Sequence, residues 1–148
     1  MNYEIVNLKE KIIVGLTART GNNDPDIQKI VGGLWQKYMG NGIEKSLKNK
    51  ANAYAVGLYT NYNFDEITYD VTVGAEVSEN ANPELSAKII PAGKYARFNI
   101  KGDVVADVSN AWNEIWAMPL DRTFTGDFEE YLSNENGVAD VNIYIALK

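Results

Sequence analysis

Asp127-Phe128-Glu129-Glu130-Tyr131 places three carboxylates among aromatic rings, downstream of Trp112 and Trp116 and upstream of Tyr144. Strand side chains alternate between two faces. Read as a strand, the run puts Asp127, Glu129 and Tyr131 on one face and Phe128, Glu130 and Leu132 on the other. A carboxylate walled by aromatic rings suits two kinds of chemistry. It can hold an organic cation, with the rings adding cation–π attraction, or it can act as a general acid or base whose pKa is raised in a dry pocket. The competing reading is a solvated strand edge, since Asp and Glu are mostly exposed.

Composition narrows the chemistry further. The chain has 148 residues, no histidine and no cysteine. That removes histidine-based triads, thiol nucleophiles, disulfides and the usual zinc ligands. The acids show no EF-hand spacing, so no metal and no cofactor are expected. A net charge of -6 argues against nucleic-acid binding, which needs a basic face to neutralise phosphates. The same field attracts cations weakly. The N-terminal residues lack a basic segment followed by an apolar run, and no stretch approaches the roughly 20 apolar residues of a membrane span. The expectation is a cytoplasmic protein with no membrane association.

Two successive element sets must position these residues. Ile5 to Arg19 reads as extended, and Asn23-Asp24-Pro25 as a helix start with Asp24 as N-cap and Pro25 in the first turn. Ile27, Ile30, Val31, Leu34, Trp35 and Tyr38 recur at helical spacing up to the stop at Gly40-Asn41-Gly42. Tyr54 to Tyr62 and Ile67 to Val77 read as a hairpin. Leu85 to Ile100 is again extended, with an interruption at Pro91-Ala92-Gly93. Val104 to Met118 is helical and stopped by Pro119. Phe128 to Leu132 and Val138 to Leu147 close the chain as a hairpin. The order strand, helix, strand, strand thus occurs twice, about residues 1–80 and 81–148, within one domain. It predicts an α+β fold, an antiparallel sheet with helices on one face.

Alternation predicts which residues share a cleft. Val71, Val73, Ala75 and Val77 share a face, as do Val141, Ile143, Ile145 and Leu147; Phe128 and Leu132 are expected to join them beneath the helices. The opposite face then carries Gly57, Tyr59, Gly74, Glu76, Glu129, Tyr131 and Tyr144, with the glycines leaving room for a ligand. Trp116, near the end of its helix, is expected to reach this cleft. Trp35 and Trp112 fit the core of regular apolar stripes.

The series Asn23-Asp24-Pro25, Leu34-Trp35, Gly57-Leu58-Tyr59-Thr60-Asn61-Tyr62, Tyr69-Asp70 and Gly74-Ala75-Glu76-Val77 resembles the GyrI-like family. Effector-binding domains of AraC-type and MerR-type multidrug regulators are of this family. Ile90-Pro91-Ala92-Gly93-Lys94-Tyr95-Ala96, Ala111-Trp112 to Trp116, and Asp127-Phe128-Glu129 with Tyr131 continue the resemblance across the whole chain. It implies duplicated strand-helix-strand-strand units with a cleft between the halves, binding lipophilic, often cationic aromatic molecules. Glu129 matches the family's central carboxylate, and Tyr144 its tyrosine partner on the next strand. With no helix-turn-helix segment, the chain resembles the stand-alone form, associated with sequestration and detoxification. The stand-alone form is also associated with protection of DNA gyrase, which makes gyrase an alternative partner implied for this chain, and one branch hydrolyses cyclopropane-containing compounds. Here that reaction would use Glu129 and Tyr144 as catalytic residues.

Overall fold

The computed structural model describes residues 1–148 as eight strands and three helices. The first half contains β1 (Glu4–Leu8), β2 (Lys11–Thr20), α1 (Ile27–Gly40), the short α2 (Ile43–Ser46), β3 (Ala55–Asn63) and β4 (Thr68–Val77). The second contains β5 (Ser86–Ile90), β6 (Gly93–Asp103), α3 (Ala106–Ala117), β7 (Asp127–Glu135) and β8 (Val138–Ala146). All strands join one antiparallel sheet in the order β1-β6-β8-β7-β3-β4-β2-β5. The α+β class and the antiparallel sheet agree with the sequence.

Local signals account for most boundaries. The closing hairpin turns at Asn136 (φ 55°) and Gly137 (φ 78°), the left-handed pair that matches strand twist. The first helix begins two residues after Pro25, because Asp24 caps the preceding turn instead. Its carboxylate accepts the Thr20 hydroxyl and the Asp26 N–H, both at 2.9 Å. Each long extended segment divides into two strands. The leading one breaks at Lys9-Glu10, and β1 crosses over to pair with β6 of the second half.

Pro91-Ala92 alone joins β5, at one edge of the sheet, to β6, next to the opposite edge. A link of two residues reaches only about 10 Å, so the sheet curls until its two ends meet. Its inner face packs Ile13, Val56, Leu58, Ile90, Tyr95, Phe128, Tyr144 and Ala146 into one cluster. On the outer face Leu34 and Tyr38 of α1 cover Val71, Val73 and Ala75, while Val108, Ala111 and Ile115 of α3 cover Val141, Ile143 and Ile145. The Gly15–Gly74 pair of β2 and β4 permits the close backbone approach. A Cβ on either glycine would strike the neighbouring strand's carbonyl oxygen.

This architecture corrects the expected assignment of faces. Glu129 pairs with Gly57 and Ile143, Tyr131 with Ala55 and Val141, and Asp127 with Tyr59. Cross-strand partners share a face, so Glu129, Tyr131, Tyr59 and Gly57 lie on the helix side. Phe128, Tyr144, Gly74 and Glu76 lie on the inner side. Both faces of the central strands are buried, so apolar alternation identifies two sets without saying which set meets the helices.

Candidate functional site

On the outer face a cavity of about 510 Å³ lies between α1 and α3. Each helix carries two adjacent stripes. In α1, Leu34 and Tyr38 pack on the sheet while Ile27, Val31, Trp35 and Met39, four residues apart, turn toward the cavity. In α3, Ala111 and Ile115 pack on the sheet while Val108 and Trp112, with Val105 just before the helix, line the cavity. The floor comes from Ala55 and Tyr59 of β3, Tyr69 of β4, and Glu129 and Tyr131 of β7.

Two β-bulges aim further residues at this groove. In β3 the register slips between Thr60 and Asn63, with Asn61 at φ 57°, so Tyr62 joins the face of Tyr59. In β7 it slips between Tyr131 and Ser133, and Asn134, not Ser133, reaches the cavity rim.

Glu129 is the one carboxylate lining the cavity, and it is only 4% exposed. Three aromatic donors hold it. The Trp112 indole N–H donates to Oε2 at 2.6 Å, the Tyr131 hydroxyl to Oε1 at 2.8 Å and the Tyr59 hydroxyl to Oε2 at 3.3 Å. Gly57 lies directly beneath, where a Cβ would come within 2.9 Å of Oε1. No lysine or arginine lines the cavity. Burial therefore pushes the Glu129 pKa up, and the bonds from Trp112, Tyr131 and Tyr59 oppose that shift in part. The tyrosines respond in the same way. Desolvation first and the Glu129 charge second raise the hydroxyls of Tyr59 and Tyr131 far above the ordinary phenol value.

Asp127, two residues away, shows the contrasting arrangement. It is fully buried, yet Arg122 pairs with it at 2.6 Å, the Tyr62 hydroxyl donates to it at 2.7 Å, and the Ala146 N–H donates at 2.9 Å. The Arg122 guanidinium also lies against the rings of Trp116 (4.5 Å to the centroid) and Phe124 (4.2 Å). This acid is neutralised within the protein. Glu129 is not.

The remaining expected site residues separate by location. Tyr144 stacks on Phe128 at 4.5 Å on the inner face, so the Glu129–Tyr144 pair does not form. Strand pairing fixes this, because Tyr144 is one residue out of phase with the partner of Glu129. Glu76 also points inward and pairs with Lys11 at 3.1 Å. Gly74 serves backbone approach, not ligand room. Trp116, 43% exposed, lines an outer extension of the groove and lies outside the chamber of Glu129. Trp112, Trp35 and Tyr69 were not expected at the site. Their signal was the position of each tryptophan at the margin of its helix's apolar stripe, and the need of a buried carboxylate for donors.

A family model described as integron-associated effector binding protein matches residues 4–147. The putative transcriptional regulator protein YobU of Bacillus subtilis is 31% identical over 157 residues, covering 97% of this chain and 96% of its own. An integron cassette protein from the mobile metagenome of Vibrio cholerae superposes with a TM-score of 0.78 at 29% identity, over 99% of this chain and 95% of the other. SAV2435, solved bound to tetraphenylphosphonium, superposes with a TM-score of 0.82 at 19% identity, over 100% and 94% of the two chains. No helix of this chain is long and apolar enough to cross a membrane.

Proposed function

The chain belongs to the family of integron-associated effector-binding proteins, and from that premise we propose that its effector is a lipophilic organic cation seated between α1 and α3, its charge against Glu129. One observation carries the reading: a buried carboxylate with three aromatic hydrogen-bond donors and no cation of its own. Such a group costs free energy when ionised and unpaired. An organic cation supplies the missing charge and stays lipophilic enough to enter an aromatic groove. Trp35, Tyr59, Tyr69 and Trp112 offer ring surface, and each good cation–π contact contributes about 0.5–2 kcal/mol. The phosphonium bound to SAV2435, a fold relative, is a ligand of this chemical type. The biological use we infer is sensing or sequestration of such compounds.

Calorimetric titration with tetraphenylphosphonium and with triphenylphosphine oxide, a neutral aromatic of similar shape, tests the proposal. Glu129→Gln keeps the shape and removes the charge. It should weaken the cation by about 1.5–3 kcal/mol, the range for charge-assisted hydrogen bonds, and the neutral compound by much less. Equal losses for both ligands would make Glu129 a structural residue. Unchanged affinity for both would remove it from the binding site.

A further inference from the structure

The groove continues past Tyr59 and Trp112 into an outer chamber of about 550 Å³, bounded by Tyr62 and Trp116. The two chambers share the walls formed by Ile27, Gln28, Tyr59, Tyr69, Ser109 and Trp112, so one molecule can occupy both. Their chemistry differs. The inner chamber is mostly apolar and aromatic around a single carboxylate; the outer one has no charged residue in its wall and adds the amides of Asn22 and Asn113 to that of the shared Gln28. Asp127 lies behind Tyr62 and is already neutralised by Arg122, so it draws no second cation.

Resting on the cation reading above, we propose that the effector is bipartite: a cationic aromatic head at Glu129 joined to a neutral tail bearing amide or hydroxyl groups, which lies in the outer chamber. The polar side chains there are largely uncommitted. Asn22 accepts the Tyr69 hydroxyl at 2.6 Å through its oxygen, leaving its NH₂ free, while Gln28 and Asn113 make no hydrogen bond within the protein. A tail with donors and acceptors can satisfy these amides as it displaces their water. An alkyl tail would desolvate them without replacement partners, which is unfavourable. The exposed face of Trp116 and the ring of Tyr62 give the same tail apolar contact along its length.

Three probes test the proposal by calorimetry: N-benzylpyridinium, the same cation with a short para-linked amide tail, and the same cation with an alkyl tail of equal length. The amide-tailed probe should bind the native protein about tenfold tighter than the alkyl-tailed one, a difference of about 1.4 kcal/mol. Asn113 is exposed on α3 and touches only the outer chamber, so Asn113→Leu should fold normally and leave the bare cation unaffected. It should reduce the amide preference at least roughly threefold, and Asn113→Gln should retain most of that preference. Equal binding of the two tails, or a preference indifferent to Asn113→Leu, would overturn the proposal. Glu129→Gln measured on the bare cation reports separately on the inner chamber, so the two readings fail independently.

Discussion

A carboxylate that is hydrogen-bonded but lacks a counter-charge is a proton-linked binding group. Burial favours the protonated form of Glu129, whereas a bound cation favours the ionised form. Cation binding should therefore release a proton, and affinity should rise with pH through the raised Glu129 pKa and then level off. The unliganded protein has the opposite slope. Its folded state holds this proton more tightly than the unfolded chain, so the stabilisation is complete below the ordinary glutamate pKa of 4.5 and is lost as pH rises through the raised folded value. Tetraphenylphosphonium titrations at several pH values, paired with urea unfolding, would show both slopes; Glu129→Gln should flatten the affinity profile and reduce the stability slope, the contribution of the half-buried Glu130, raised by burial, remaining. Trp112→Phe sharpens the test. The indole N–H favours the carboxylate, so removing it should displace the affinity profile to higher pH, where a purely steric role would lower affinity equally at every pH. Strand alternation alone groups Glu129 with Tyr131 and Tyr59 with Gly57. It misplaces Tyr144 and Glu76 because a face buried against the opposite end of a curled sheet is as apolar as one buried against helices. Trp112 escapes it because one helix residue can be core neighbour and ligand wall at once.

At the scale of elements, the groove exists because α1 and α3 each cover their own part of the sheet and leave β3 and β7 bare between them. The order of strands and helices is readable from periodicity, turn residues and Pro119. Crossing of β1 to β6 is not, since pairing across the halves leaves no local signature. Nor are the bulges at Asn61 and after Tyr131, which bring Tyr62 and Asn134 into the groove and reverse parity beyond them. Gly15 and Gly74 permit the close approach of β2 and β4, where backbone meets backbone. Gly74→Ala should destabilise the fold by about 1–3 kcal/mol, the range for overpacking, because the Val14 carbonyl it meets cannot move aside as a side-chain tip would. Gly57→Ala makes the contrasting case. Its new methyl meets the Glu129 carboxylate, so urea midpoints should change little while tetraphenylphosphonium affinity falls.

For the molecule as a whole, the inner cluster decides whether the halves are separable. Ile13, Val56 and Leu58 come from the first half; Ile90, Tyr95, Phe128, Tyr144 and Ala146 come from the second. Neither set is covered without the other, and β3–β7 pairing makes the sheet continuous across the junction. The groove has the same dependence, with α1 from one half and α3 from the other. Unfolding should therefore be a single cooperative transition. Far-UV circular dichroism and tryptophan fluorescence, reporting on Trp35 in one half and Trp112 and Trp116 in the other, should give coincident urea curves. Phe128→Ala removes the fully buried ring that stacks on Tyr144 and packs edge-on to Tyr95. It should cost about 3–5 kcal/mol, the range for large aromatic truncations in a core. The loss should appear as one shifted transition and not as two separated ones. A biphasic curve, with one half melting first, would mean that the curled sheet joins two independently stable units. The groove would then be an interface between them, not a cavity within one core.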